Sequence, residues 1–233
     1  AYTAWRADRD AGRASVLIAE TREDVTALNA RARADLILDG TIRPTREVAL
    51  TEGTSAGVGD TIITRRNDRR LRTGTGRGWV RNGERWQITD VRDDGSITIR
   101  KPGRRTGSIV LPADYVAEHV DLGYAVTAHR AQGITVDTAH VLIEPSSTRE
   151  NFYVAMTRGK ESNRAYVVLD RPDDHAAPHP SDNEEATGRS VLFGVLQHSG
   201  AEVSAHETIT AEQDQWGSIA QLAAEYETIA AAA

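Results

Sequence analysis

The chain contains no cysteine in 233 residues, which excludes disulfides, thiolate metal sites and cysteine nucleophiles. Aromatic residues make up only 5%, so few bulky side chains are available to anchor a core. No apolar run approaches the roughly 20 residues that cross a bilayer, and the first residues lack the basic-then-apolar pattern of a signal peptide. We therefore expect a cytoplasmic protein without a membrane segment.

Lysine is also scarce, because only Lys101 and Lys160 occur among 28 basic residues. The net charge of -6 hides an uneven distribution along the chain. Residues 65–105 hold 13 basic and five acidic side chains, a local charge of +8. Residues 170–233 hold 12 acidic and two basic side chains, a local charge of -10. The middle of the chain is therefore the better candidate for a nucleic-acid contact, and the acidic end is not.

The beginning and the later part of the chain have the texture of an α/β fold. The apolar run Ser15–Glu20 predicts a buried strand. A helix follows, with Thr21 as its N-cap and Gly40 at its end, and its apolar face consists of Val25, Leu28, Ala32 and Leu36. After Asp114–Asp121, we predict a short helix over Thr127–Gln132 and strands over Ala139–Ile143 and Ala165–Leu169.

Between these parts the chain changes to short alternating segments separated by turn signals such as Asn82-Gly83. The predicted strands are Asp60–Thr64, Gly78–Val80, Glu84–Val91 and Ser96–Ile99. So many short strands in about sixty residues predict a small barrel inserted into the α/β domain. Beyond it, Asp173–Pro180 has linker composition, and helices are predicted over Ser190–His198 and from Thr210 onward.

Two motifs carry the strongest functional signal. The first is Thr127-Ala-His129-Arg130-Ala-Gln132-Gly133-Ile-Thr135-Val136-Asp137, and the second is Tyr153-Val-Ala-Met-Thr157-Arg158-Gly159-Lys160. In this order they resemble motifs V and VI of RecD-like superfamily 1 helicases, which lie on the second of two RecA-like motor domains. Thr135 departs from the UvrD-like pattern, which has glutamate there, and is similar to the TrwC/TraI-type conjugative relaxase-helicases. The departure leaves no glutamate at that position for a nucleotide contact.

The resemblance implies an α/β fold with a RecA-like parallel sheet, an inserted small SH3-like β-barrel and a C-terminal helical tail. The expected domain organisation is residues 1–58 and 114–170 for the RecA-like domain, 59–113 for the barrel, and 171–233 for the acidic linker and helical tail.

On the nucleotide side, the resemblance assigns Arg158 as an arginine finger, with Gln132 and Gly133 at the cleft and Arg22 as a motif IV candidate. A fixed planar cation can stabilise charge that develops on a transferred phosphoryl group. The alternative is that Arg158 is only an exposed arginine near a helix end, and that Gly133 is only a C-cap.

On the DNA side, the resemblance assigns Thr127 and His129 to the strand, the alternative being a histidine in the core. The barrel candidates are Arg66, Arg69 and Arg70, since guanidinium groups can track phosphates. Their alternative is a dense arginine turn that is simply solvated. Trp79 and Trp86 alternate with apolar neighbours and are predicted to belong to the barrel core, although their rings could accept bases.

The sequence does not contain the phosphate-binding pattern Gly-x4-Gly-Lys-Ser/Thr. The glycine-rich run Gly53–Gly59 ends in Asp60 and is interpreted as a loop leading into the barrel. We therefore expect ATP and Mg²⁺ in a full-length parent and no cofactor bound by this chain alone. No metal site is expected, and the spacing of His175 and His179 is interpreted as a chance pair in the linker.

The leading hypothesis is a C-terminal motor-domain fragment of an ATP-dependent DNA helicase in a conjugative relaxase. Its partners would be single-stranded DNA and the N-terminal RecA-like and relaxase domains of the same parent, and alone it would be inactive as an ATPase. The first residue, Ala1, is consistent with an excised piece. The alternative is a non-catalytic DNA-binding or protein-docking module on the same fold. A third hypothesis is that the acidic tail docks a secretion-system component.

Overall fold

The structure is a computed structural model that describes residues 1–42, 45–51, 53–73, 78–102, 107–169 and 187–200. Its elements all lie within the unit formed by residues 1–198. The helices are α1 (Tyr2–Asp10), α2 (Arg22–Leu38), α3 (Ala113–His119), α4 (Ala128–Ala131), α5 (Arg149–Ala155) and α6 (Gly188–Gln197). The strands are β1 (Ser15–Ala19), β2 (Glu47–Ala49), β3 (Ser55–Gly57), β4 (Thr61–Thr64), β5 (Asp68–Arg72), β6 (Trp79–Val80), β7 (Arg85–Val91), β8 (Ile97–Arg100), β9 (Ile109–Leu111), β10 (Val120–Leu122), β11 (Ala125–Thr127), β12 (Val136–Ile143) and β13 (Gly159–Val167).

A four-stranded parallel sheet forms the α/β part, with the strand order β11-β1-β12-β13. Every residue of β1 is buried, as its continuous apolar run predicts for a strand that is covered on both faces. Because the strands are parallel, loops that follow them meet at one edge of the sheet and loops that precede them meet at the other. We call these the carboxyl edge and the amino edge.

Helix α2 connects the carboxyl edge of β1 to the barrel. The hydroxyl of Thr21 accepts a hydrogen bond from the Asp24 amide at 3.1 Å and caps the helix as predicted. The predicted apolar face is buried at Val25, Ala32 and Leu36. Gly40 follows the helix with a φ of 77°, a conformation that favours glycine.

The inserted part is built on a five-stranded antiparallel sheet with the order β10-β4-β7-β8-β9. Two short hairpins, β2-β3 and β5-β6, accompany it. Strands β4, β6, β7 and β8 confirm the four strands predicted from alternation. The parallel sheet with its helices and the SH3-like barrel confirm the predicted fold class, while the domain boundaries remain a prediction.

The prediction of a turn that contains Arg66, Arg69 and Arg70 is wrong in part, because Asp68–Arg72 forms strand β5, which pairs with β6. Helix α1 was not predicted, although it buries Trp5 to 1% exposure. Helix α6 confirms the predicted helix over Ser190–His198. The predicted linker, its two histidines and the helix from Thr210 lie outside the described residues.

Buried polar side chains join the barrel to the parallel sheet. Asp60 accepts hydrogen bonds from the Tyr124 hydroxyl at 2.6 Å, the Arg33 Nε at 3.0 Å and the Gly57 amide at 2.8 Å. Burial and the Asp60 carboxylate raise the pKa of Tyr124 above its usual value, so the hydroxyl keeps its proton and remains a donor. The Asn29 side chain accepts hydrogen bonds from the Tyr124 and Ala125 amides at 3.0 and 2.8 Å. The chain is therefore held on both sides of Tyr124, where β10 passes into β11.

The apolar core is shared between the two parts. One cluster of buried side chains contains Trp5 and Leu17 from the α/β part together with Ile62, Trp86 and Ile99 from the barrel. A second cluster fills the other face of the parallel sheet, around Val16, Ile18 and Val141. Within the described residues, no helix is long and apolar enough to cross a membrane.

Candidate functional site

The motif VI arginine lies at the amino edge, in the turn between α5 and β13. Its Nε donates to the Val154 carbonyl at 2.8 Å, and its Nη1 donates to the Ile134 carbonyl at 3.4 Å. The Arg158 carbonyl in turn accepts from the Val136 amide at 3.1 Å. The structure therefore places Arg158 beside the motif V loop that contains Gln132 and Gly133.

Two glycines shape this edge. Gly133 has a φ of 85°, in the left-handed region where other residues are strained. At Gly159, a Cβ atom would overlap the Ser162 carbonyl oxygen and lie 3.0 Å from the Ala139 amide nitrogen. Glycine at position 159 thus lets the turn pack against β12, which fixes the position of the preceding arginine.

The surface around Arg158 is open. Its Nη2 donates to the exposed Thr157 hydroxyl at 2.7 Å, and Tyr153 one turn earlier is 70% exposed. Gln132 and Gly133 are exposed as well. These side chains form a polar, solvent-accessible face beside a partly buried guanidinium.

The motif V residues Thr127 and His129 lie at the other end of the sheet. Thr127 ends β11 at the carboxyl edge, and its hydroxyl caps α4 by accepting from the Arg130 amide at 3.3 Å. His129 is exposed, so the alternative of a core histidine is wrong for this residue. Among the residues that the structure describes, the buried histidine is His140, which is 1% exposed.

Arg22 is also at the carboxyl edge, where it is exposed in the first turn of α2. Strand β12 spans roughly 23 Å between the two edges at about 3.3 Å per residue. The structure therefore does not bring Arg22 together with Arg158 and Gln132. It brings Arg22 toward Thr127 instead, because Ala19 and Thr127 are paired at the ends of β1 and β11.

The three barrel arginines have different surroundings. Arg70 forms a two-pronged contact with Asp68, with Nη2–Oδ2 at 2.7 Å, and this contact holds the pKa of the Asp68 carboxyl at about 2. Arg66 is exposed and its Nη1 lies 3.1 Å from His119 Nε2. Arg69 stacks on the Trp79 ring, with its Cζ 5.5 Å from the ring centroid. Arg69 and Arg66 are therefore better placed than Arg70 to meet a phosphate.

Sequence reasoning missed Arg81 as a partner of Trp79. The Arg81 Cζ lies 5.1 Å from the Trp79 ring centroid, so this half-buried ring has two guanidinium groups near it. Trp86 is 2% exposed, which confirms it as a core residue, whereas Trp79 is not fully enclosed. The close spacing of arginines around Trp79 in the sequence was the available signal.

The described residues contain no group of three His, Cys, Asp or Glu side chains arranged to hold a metal ion. The amino edge instead offers a cation and an amide side chain next to exposed backbone, which suits one side of a phosphate group.

The parallel sheet with its inserted barrel, and motifs V and VI in order, resemble a RecA-like domain of superfamily 1 helicases. Residues 48–121 match a known family, described as the Rv2311 SH3-like barrel domain. The uncharacterized protein Rv2311 of Mycobacterium tuberculosis is 38% identical over 91 residues, which cover 38% of this chain and 51% of that protein. This chain therefore matches about half the length of that relative.

The conjugation relatives match a longer stretch. A probable conjugal transfer protein TraA of Sinorhizobium fredii is 29% identical over 163 residues, which cover 70% of this chain and 14% of TraA. The multifunctional conjugation protein TraI of Escherichia coli K12 is 34% identical over 127 residues, which cover 51% of this chain and 7% of TraI. These similarities confirm the predicted relationship to TraI-type conjugation proteins, of which the chain corresponds to a small part.

Proposed function

We propose that this chain is the second motor domain of an ATP-dependent DNA helicase within a conjugative relaxase. In this proposal Arg158 is the arginine finger and Gln132 and Gly133 border the nucleotide. Residues 1–58 and 114–170 form the RecA-like part, 59–113 the barrel, and 171–233 a linker and tail.

The observation that carries the proposal is the setting of Arg158. Two bonds to main-chain carbonyls and one to the Thr157 hydroxyl hold the guanidinium on a polar open face. A cation fixed in this way needs little reorganisation when it meets a phosphoryl group that is gaining charge.

The amino edge of this chain supplies only one side of a binding site for ATP and Mg²⁺. Bound nucleotide would supply the phosphoanhydride bond whose cleavage drives a motor. The residues of this chain would orient and neutralise the transferred phosphoryl group, while a phosphate-binding loop and a magnesium carboxylate would come from a neighbouring RecA-like domain. Arg22, at the opposite edge, is the weakest member of the proposed nucleotide set.

Single-stranded DNA is the proposed polymer partner. Thr127 and His129 at the carboxyl edge, and Arg66 and Arg69 on the barrel, are exposed or half-buried and can reach a strand. Hydroxyl and imidazole groups suit phosphate and sugar contacts, and guanidinium groups suit the backbone charge. Arg70 belongs to the predicted set, but its pairing with Asp68 makes it the least available.

Replacing Arg158 in the full-length parent tests the motor role. We expect Arg158→Ala to lower DNA-stimulated ATP turnover by roughly 10³-fold or more, because a finger acts mainly on the transition state. Affinity for single-stranded DNA should stay unchanged. Arg149→Ala is the matched control, since Arg149 is a largely exposed arginine at the opposite end of the same helix. Unchanged ATP turnover in Arg158→Ala would favour the competing non-catalytic DNA-binding or docking module.

The acidic segment from Asp170 onward is proposed as a docking segment for a secretion-system component, on the strength of its net charge of -10. Deleting residues 171–233 from the parent should then lower plasmid transfer and leave ATP turnover unaffected. Normal transfer by the truncated parent would remove this role.

A further inference from the structure

A large cleft separates the barrel from the amino edge of the parallel sheet, with a volume of about 1540 Å³. Helix α1, the turn into β1, strand β7 and the loop before β12 all contribute to its described walls. It lies at the sheet edge opposite to Thr127 and His129. Its volume exceeds the roughly 300–1,000 Å³ of ordinary small-molecule pockets.

Arg85 extends from β7 into this cleft. Its Nη1 donates to the Ser15 carbonyl at 3.1 Å, and its Nε is buried without a hydrogen-bond partner. Within the described residues no carboxylate forms an ion pair with it. Burial, and then the positive charge of Arg9, lower the pKa of Arg85 to about 10, so it still carries its charge at neutral pH. Arg85 is partly buried, and a cation withdrawn from water without a counter-charge is costly, so an incoming anion would reduce that cost.

Arg9, which also lines the cleft, has no carboxylate partner among the described residues either. Its Cζ lies 5.3 Å from the Tyr124 ring centroid and 5.8 Å from that of Trp5. The two aromatic rings hold the guanidinium in place but do not neutralise it. Arg9 and Arg85 both line this cleft, and the positive charge of Arg9 lowers the pKa of Arg85, so both guanidinium groups contribute positive potential to the same space.

The remaining charges of the cleft are largely compensated. Arg13 pairs with Asp8, and Lys101 Nζ lies 3.1 Å from Glu84. Of the two carboxylates in the lining, Glu84 therefore has a partner, and Asp137 accepts from the Ala14 amide at 2.8 Å. The described lining holds five cationic and two anionic side chains, so its excess is positive and is carried by Arg9, Arg85 and the Arg81 guanidinium beside Trp79.

The same cleft presents an aromatic surface. Trp79 lines it, half-buried and flanked by the guanidinium groups of Arg69 and Arg81. A ring of this kind can accept a nucleic-acid base by stacking, and neighbouring arginines add phosphate contacts. An anion site and a stacking ring in one open cleft fit a ligand that combines phosphate with a flat ring.

We propose that this cleft binds nucleotide units of a single nucleic-acid strand, with Arg9 and Arg85 holding a backbone phosphate and Trp79 stacking on a base. The inference rests on the proposed single-strand binding and adds a contact at the amino edge, where the cleft ends at Gly133 of the proposed nucleotide face. The cleft is open and larger than one nucleotide requires, which favours a strand over a free mononucleotide.

The test measures binding of a labelled oligothymidylate of about 12 nucleotides to the complete chain at several salt concentrations. We expect Arg9→Gln and Arg85→Gln each to weaken binding by about tenfold. Each should also reduce the slope of log affinity against log salt by about 0.7. Arg46→Gln is the matched control, because it removes an exposed arginine directly before β2 that pairs with Asp93.

Three other outcomes would each overturn one or both proposals. Unchanged affinity and slope in both variants, with weaker binding in His129→Ala, would overturn the cleft and leave the proposed function standing. Thymidine monophosphate competing as well as the strand would overturn the strand in favour of a free nucleotide. No binding by the unmodified chain would overturn both proposals. Urea unfolding of each variant separates lost binding from lost folding, and Arg9→Gln alone decides if Arg85→Gln does not fold.

Discussion

At the scale of single residues, His140 is a buried group whose ionisation is linked to folding. Its Nε2 lies 2.9 Å from the Asp8 carboxylate and its Nδ1 lies 3.1 Å from the Tyr166 hydroxyl. Burial lowers the pKa of His140 below its usual 6.5, although Asp8 acts in the opposite direction. The folded protein therefore binds this proton less strongly than the unfolded chain does.

This residue sets a pH dependence of stability. The stability that neutral His140 contributes to the fold is fully present above the unfolded pKa of 6.5 and is lost as the pH falls below that value. We expect a smaller free energy of unfolding in urea at about pH 5.5 than at about pH 7.5. The difference should shrink in His140→Gln and persist in His129→Gln, which changes an exposed histidine. An equal pH effect in both variants would contradict the assignment to His140.

Asp8 contributes in a different pH range. Burial raises the pKa of this carboxyl, but hydrogen bonds from Thr138, His140 and Arg13 outweigh burial and lower the pKa to about 2. The stability that the Asp8 carboxylate contributes is present above its usual pKa of 3.8 and is lost as the pH falls from 3.8 to about 2. The window between about pH 7.5 and 5.5 therefore isolates His140 from Asp8.

At the scale of elements, the turn between α5 and β13 connects packing to the proposed function. We expect Gly159→Ala to destabilise the chain by about 1–3 kcal/mol, because its Cβ has no room against the Ser162 carbonyl. In the full-length parent it should also lower ATP turnover, since Arg158 would shift. Gly194→Ala in α6 is the matched control, because its Cβ meets nothing within 4 Å. We expect that change to stabilise the chain by about 0.4–1 kcal/mol in urea unfolding.

Local patterns predicted most elements because each signal lies within a few residues. The Thr21 cap and the apolar spacing of α2 fixed that helix, and alternation found four barrel strands. Helix α1 was missed because it is short and polar, with Trp5 and Tyr2 as its buried residues. Strand β5 was missed because it consists mostly of arginines and shows almost no alternation of apolar and polar residues.

The candidate site was predictable where a motif names the residues, and not where the fold joins distant ones. Arg158 lies beside the loop that contains Gln132 and Gly133, since its Nη1 donates to the Ile134 carbonyl, whereas Arg22 lies at the far edge. The Arg9 and Arg85 pair is separated by a long stretch of sequence and has no motif. Arg9 and Arg85 stand out because neither has a carboxylate partner among the described residues. Only the three-dimensional packing reveals this.

At the scale of the whole molecule, the barrel and the parallel sheet share one apolar core. Trp5 and Leu17 belong to the same buried cluster as Ile62 and Ile99, and the Asp60 network crosses the same junction. Elements that share a core lose packing together, so unfolding of either part should expose the other. The barrel insertion is therefore expected to behave as part of one cooperative unit.

Ile99→Ala tests this cooperativity, since Ile99 is a fully buried barrel residue in β8. We expect it to lower the global stability by about 2–5 kcal/mol. In native-state hydrogen exchange, the opening free energies of amides in β7 and in β1 should fall by the same amount. Slower-exchanging β1 amides that keep their protection, while β7 amides lose theirs, would show that the barrel opens alone. In that case the cleft between barrel and sheet would not have rigid walls, and Arg9 and Arg85 would not be fixed relative to each other.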